Sequence, residues 1–165
     1  GFNPKKKFRF ELVEKILIKL PAYYKNKSYM VLDGKFVSLD PYIGTKYHLL
    51  SDVKFSKLEI IKNYVPNFKS KKKYFLNKGI IKNIKQSKFK KFIKNSSKYL
   101  PFLKKAKYFG SFFVVRAIEI GKEKTDERLN SIGFYDTNKI ITIFSGKWNT
   151  SIGLAKYIQK YKLIK

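Results

Sequence analysis

The stretch Ser111-Phe112-Phe113-Val114-Val115-Arg116-Ala117-Ile118-Glu119-Ile120 decides the reading of the fold. Its aromatic and β-branched side chains suit the pleated surface of a strand. Residues 121–126 supply a charged connection, and residues 127–135 read as a second strand. Asp136-Thr137-Asn138 carries turn residues, and residues 139–144 read as a third strand. Three strands in succession predict an antiparallel β-meander. Asn149 or Thr150 then caps a closing helix to about Tyr161, with Ile152, Ala155, Ile158 and Tyr161 on one face.

Upstream the pattern changes. Residues 1–9 form a basic arm with Lys5, Lys6, Lys7 and Arg9. Residues 10–20 read helical: Leu12, Ile16 and Leu20 recur at spacing four, with Val13 and Leu17 beside them. Glu11 and Glu14 in the first turn and Lys19 in the last suit a helix dipole, and Pro21 stops it. Residues 29–39 predict a hairpin, two apolar runs around Asp33-Gly34, a pair that favours a type I′ turn. A short helix is expected over 56–64, before Pro66. Residues 80–95 predict a basic helix with Ile81, Ile84, Phe89 and Phe92 as a narrow stripe among lysines.

These readings define an α+β chain. A lysine-rich segment over 1–97 (helix 10–20, hairpin 29–39, basic helix 80–95) precedes a meander-plus-helix module over 98–165.

The charge restricts what such a chain can bind. Among 165 residues, 38 Lys and Arg stand against 11 Asp and Glu, a formal net charge of +27, and only Arg9, Arg116 and Arg128 are arginines. Self-repulsion on this scale calls for a polyanionic partner. Yet 44% of the residues are hydrophobic and 17% aromatic, which argues against a disordered tail. Residues 60–118 contain no acid and 17 Lys and Arg, where an ordinary solvated surface mixes signs. No apolar run reaches a membrane span, so no stable membrane insertion is expected. A start at Gly1 rather than Met is compatible with a trimmed leader.

Candidates for chemistry are few. There is no cysteine, and His48, in the loop-like run Gly44-Thr45-Lys46-Tyr47-His48, is the single histidine. That leaves no cysteine or paired-histidine metal site, and no metal or other cofactor is expected. Phosphate-loop and dinucleotide glycine motifs are missing too. His48 with a neighbouring Lys and Tyr could form the centre of an RNA-cleaving toxin domain, the alternative reading; a partly exposed loop histidine or a phosphate contact is the plainer one. The pairs Glu11/Glu14 and Glu123/Asp126 read as helix-start and turn charges. Lysines neutralise phosphates without reading sequence, and aromatics among them stack on unpaired bases. The expected RNA-binding residues are Lys5, Lys6, Lys7, Arg9, Lys69, Lys71, Lys72, Lys73, Lys90, Lys91, Lys104, Lys105, Lys107 and Arg128, with Tyr74, Phe75, Tyr99, Phe102 and Tyr108 as candidate stacking rings. A peripheral membrane protein docking residues 80–92 on anionic lipid is a third reading.

The last third resembles the bacterial-type small-subunit ribosomal protein 16 family over about residues 98–161. Gly110-Ser111-Phe112-Phe113-Val114-Val115 is similar to its first long strand, and Ile132-Gly133-Phe134-Tyr135-Asp136 to the turn ending its second. Thr125-Asp126-Glu127-Arg128-Leu129 stands in its loop. Ser145-Gly146, then Asn149-Thr150-Ser151 through Leu154-Ala155-Lys156-Tyr157-Ile158, is similar to its helix-start piece. The chain departs from the pattern at Thr137, where the family has Pro, and in its longer first connection. The resemblance implies a non-enzymatic constituent of a small ribosomal subunit, its partners ribosomal RNA and neighbouring ribosomal proteins, with no small-molecule substrate. Lys104, Lys105 and Lys107 match the basic lead-in, and Arg128 a basic loop position. The long N-terminal segment fits an organellar ribosome, mitochondrial first and plastid second.

Overall fold

In an extended chain, Phe8, Phe10, Leu12, Glu14, Ile16 and Ile18 share one side, and Arg9, Glu11, Val13, Lys15 and Leu17 the other. The computed structural model describes residues 6–32, 36–121, 131–135, 140–144 and 151–160. Its elements in chain order are β1 (Phe8–Lys19), β2 (Tyr29–Val31), β3 (Val37–Pro41), β4 (His48–Asp52), β5 (Lys57–Asn63), α1 (Ser70–Lys73), α2 (Phe89–Ser96), β6 (Lys107–Glu119), β7 (Ser131–Tyr135), β8 (Ile140–Phe144) and α3 (Ser151–Lys160). Short 3-10 turns lie at Ala22–Tyr24 and Pro101–Lys105. The fold is α+β, an antiparallel sheet with few helices and a C-terminal helix.

The helix expected over 10–20 is instead the central strand. β6 runs antiparallel along β1 from Phe8↔Glu119 to Lys19↔Lys107. The other edge of β1 is shared, β5 pairing Phe8 to Val13 and β4 pairing Ile16 to Ile18. β3 and β2 continue from β4. Pairing on both edges overrides the local helical pattern, because it occupies the backbone groups a helix would pair internally. The helix expected over 56–64 is likewise strand β5, whose Leu58 and Ile61 pack against Phe10 and Leu12.

The 29–39 hairpin is present, with Tyr29↔Leu39, Met30↔Ser38 and Val31↔Val37 in register; its Asp33-Gly34 turn lies outside the described residues. The basic helix is shorter than expected and covers Phe89–Ser96. Before it, the backbone of Ile81 exchanges two hydrogen bonds with Ser111 (2.8 and 3.0 Å), and Asn83 sits at φ 55°. Both features are incompatible with a helix through 80–84.

The second and third strands of the expected meander pair with each other as β7 and β8, in register from Ser131↔Phe144 to Tyr135↔Ile140. Their neighbour in sequence, β6, belongs to the large sheet. The boundary expected at 97/98 therefore runs through one sheet, since β1 and β6 lie on either side of it. Phe8 of β1 meets Phe144 of β8 at 5.0 Å between ring centroids. On α3 it is Leu154 that is buried, while Ile152 and Tyr157 of the described helix surface are exposed. The expected caps Asn149 and Thr150, and Tyr161, lie outside the described residues.

The two main apolar clusters take the even-numbered residues of β1. Ile16, Ile18 and Leu20 pack with Val37, Leu39 and Leu50 beneath Phe92 of α2 and Leu103. Phe10 and Leu12 pack with Phe113 beneath Phe68 and Phe75. The acid-free segment thus has a structural role: it covers the sheet with its apolar residues and turns its lysines outward. Complete burial of each such aromatic contributes about 1.5–3 kcal/mol.

Candidate nucleic-acid interface

Glu14 divides the two apolar clusters and holds the lysine-rich layer in place. It is fully buried. Its Oε1 accepts hydrogen bonds from Ser87 Oγ and Ser111 Oγ, both at 2.7 Å, and its Oε2 accepts one from the Lys88 backbone N–H at 3.1 Å. Ser87 Oγ also accepts from the Phe89 N–H at 3.2 Å, so the first turn of α2 hangs on the same hydroxyl. Three donors satisfy a carboxylate that burial would otherwise penalise. Asp52 anchors the far end of α2: Asn95 Nδ2 donates to its Oδ2 at 2.8 Å, and the Lys54 and Phe55 N–H groups donate to its Oδ1.

On the opposite side of β1, Glu11 is also fully buried. Arg9 forms an ion pair with it, Lys57 Nζ lies 3.5 Å away, and Arg116 Nη1 lies 3.7 Å away. Neither acid lies on a helix: Glu11 pairs with basic side chains, and Glu14 accepts from two serine hydroxyls and a backbone N–H. The sequence reading missed these roles because the partners come from distant strands.

Anchored in this way, the segment presents some of its lysines around a cleft of about 520 Å³. Phe75, Ile81 and Ile84 contribute its apolar lining, and Phe75 stacks on Phe113 at 4.3 Å between centroids. Lys71, Lys72, Lys82 and Lys85 also line it, and among the described residues no acid does. Lys72 Nζ stands 5.9 Å from the centre of the Phe75 ring, and Lys82 Nζ 5.1 Å from that of Phe109. Burial pushes the Lys88 ammonium below its ordinary value; Glu14 opposes the shift, and Lys91 and Lys72 add to it. Lys72 and Lys91 thus both act on Lys88 electrostatically.

The expected RNA-binding residues divide into several groups. Lys69, Lys71 and Lys73 are exposed at α1, and Lys72 is half-buried. Lys90 and Lys91 are exposed on α2, Lys104 and Lys105 in the 3-10 turn after it, and Lys107 at the start of β6. Lys7 is exposed, with its Nζ 5.3 Å from the Tyr64 ring centre. Lys6 is held by Glu119 at 2.5 Å, and Arg9 is drawn into the Glu11 ion pair, so these two act first within the fold. Lys5 and Arg128 lie outside the described residues. The lysines Lys82 and Lys85, which share the cleft with α1, were not among the expected contacts; their position beside the apolar residues Ile81 and Ile84 was the available signal.

The stacking candidates separate more sharply. Phe75 is buried, Phe102 stacks on Tyr24 at 4.1 Å, and Tyr108 packs on Phe89 with its hydroxyl 3.1 Å from Ser111 Oγ. Tyr74 and Tyr99 stay exposed, at 63% and 54%.

His48 is not in a loop. It opens β4, is 3% exposed, and its Nε2 lies 2.9 Å from the Tyr24 carbonyl oxygen. This geometry ties the Ala22–Tyr24 turn to the sheet. Among the described residues no group of three or more His, Asp or Glu side chains could hold a metal ion, and no helix is long and apolar enough to cross a membrane.

Comparison with protein-family models, with curated proteins and with solved structures finds no match.

Proposed function

We propose that the protein is a structural RNA-binding module that clamps RNA through the lysine-rich layer of residues 69–107. The observation that carries this reading is the cleft at α1, where Lys71, Lys72, Lys82 and Lys85 surround an apolar lining with no acid among its described residues. Such a surface neutralises phosphates by charge and requires no catalytic group. Glu11 and Glu14 are fully buried, and neither lines the cleft.

The specific form of the proposal is a constituent of an organellar small ribosomal subunit, mitochondrial before plastid, with ribosomal RNA and neighbouring ribosomal proteins as partners. Its support is the order of segments over about residues 98–161 and their resemblance to the ribosomal protein 16 family. Co-sedimentation tests this form. The protein is expected to travel with purified small subunits at moderate salt; recovery of all of it in the ribosome-free fraction would overturn the ribosomal assignment.

A further inference from the structure

The cleft at α1 differs from a simple charged surface, because its lysines surround apolar and aromatic groups. Duplex RNA presents phosphates and sugars outward and keeps its base faces stacked, so it needs lysines but no apolar cleft. An unpaired nucleotide presents both a phosphate and a free π-face.

Resting on the RNA-binding reading above, we infer that this cleft is a subsite for an unpaired base, with Tyr74 as the stacking platform and Lys71, Lys72, Lys82 and Lys85 taking the flanking phosphates. Four observations converge on it. The volume of about 520 Å³ falls within the range of about 300–1,000 Å³ usual for ligand clefts. Tyr74 lines the cleft yet stays 63% exposed, so its ring is available to a ligand. Its neighbour Phe75 is fixed by stacking on Phe113, with Tyr74 edge-on to it at 5.7 Å and 71°. This contact gives the outer ring a supported position. Finally, Asn83 and Gln86 line the same cleft and supply amide donors and acceptors for a base edge. Asn83 holds a positive φ of 55° there.

The chemistry is non-covalent. The base stacks on the phenol ring, the lysines neutralise the adjacent phosphodiesters, and one amide reads the exposed edge. The occupant is therefore single-stranded or bulged RNA, whereas the lysines of α2 and of residues 104–107 serve duplex and single strand alike.

The test uses the full chain and two probes: a short single-stranded RNA carrying one fluorescent adenine analogue, and a blunt RNA duplex of equal phosphate number. Wild-type protein is expected to quench the analogue as it stacks. Tyr74→Ala abolishes the quenching and weakens single-strand binding about tenfold, the usual scale of one base–aromatic stack. Tyr74→Phe keeps both, and duplex affinity is the same for all three proteins. Because the ring is largely exposed, the substitutions leave the fold intact, which an unchanged melting temperature verifies. If Tyr74→Ala binds and quenches like wild type, the base subsite is overturned and the lysine clamp stands. If wild-type protein binds neither RNA at low salt, the clamp itself is overturned and the subsite with it.

Discussion

The Ser87 hydroxyl donates a 2.7 Å hydrogen bond to Glu14 Oε1 across 73 positions of sequence. Through this bond the centre of the sheet fixes the lysine-rich segment. The same carboxylate accepts from Ser111 Oγ and from the Lys88 N–H. Glu14→Gln removes the charge and places an amide N–H₂ against one of these donors. The expected loss is about 1.5–3 kcal/mol, the scale of a hydrogen bond to a charged group. Urea denaturation measures it; an unchanged midpoint would remove Glu14 from its central place in the fold.

Gly110 permits the close approach of the segment before α2. A Cβ there would lie 2.9 Å from Ile80 Cγ2 and 3.0 Å from the Ile81 carbonyl oxygen. The second contact is backbone and cannot rotate away. Gly110→Ala is therefore expected to cost about 1–3 kcal/mol, as overpacking does. Gly153, in α3, has no described residue within 4 Å of such a Cβ. Gly153→Ala is expected to stabilise by up to about 1 kcal/mol through helix propensity. Thermal melts of the two variants should move in opposite directions, and movement in the same direction would contradict the local geometry.

Lys15 makes stability rise with alkaline pH. Burial pushes its ammonium below the ordinary lysine value of 10.5, Arg116 adds to the fall and Asp40 opposes it. Between the lowered folded value and 10.5 the unfolded chain holds more protons than the folded one, so stability increases with pH across that window. Below the window the cost of burying the charged lysine is fully present. Lys15→Met removes that cost and flattens the alkaline rise, with part of the slope retained through Lys88, which is lowered by burial as well. Denaturation midpoints from neutral to alkaline pH test this; an equally steep rise in the variant would contradict it.

Lys71 and Lys73 are exposed at α1. Exchanging both for Gln is expected to change stability by less than about 0.5 kcal/mol, as is usual for surface positions. The same exchange should weaken RNA binding and reduce the steepness of its salt dependence by roughly 0.7–0.9 in log–log slope for each lost phosphate contact. Titrations at several salt concentrations, read beside a thermal melt, separate the two effects. A lower melting temperature with an unchanged salt slope would assign these lysines to the fold instead of to RNA.

Legibility followed the range of the interactions. The hairpin around Asp33-Gly34 was readable because its turn residues and both strands are adjacent, and β6 because aromatic and β-branched residues fill it. β1 misled because spacing four serves both templates: Leu12, Ile16 and Leu20 are one face of a helix and equally one face of a strand. What decides between them is β6, whose Ser111 pairs with Ile16 from 95 positions away. Glu11 and Glu14 looked like helix-start charges for the same reason, as Arg116, Ser111 and Ser87 come from far along the chain. At the candidate site the lysines of α1 were legible as a run. That Phe75 turns inward while Tyr74 stays outside was not, because it depends on Phe113 lying beneath the turn after α1.

The central claim is that residues 69–107 form a charge-driven RNA clamp. Its most direct measurement is the affinity of the full chain for RNA, taken from low to moderate salt. A charge-driven clamp gives a steep linear fall of log affinity against log salt, with a slope of roughly −0.7 to −0.9 for each phosphate neutralised and several phosphates engaged. Affinity that stays flat across that range would contradict it.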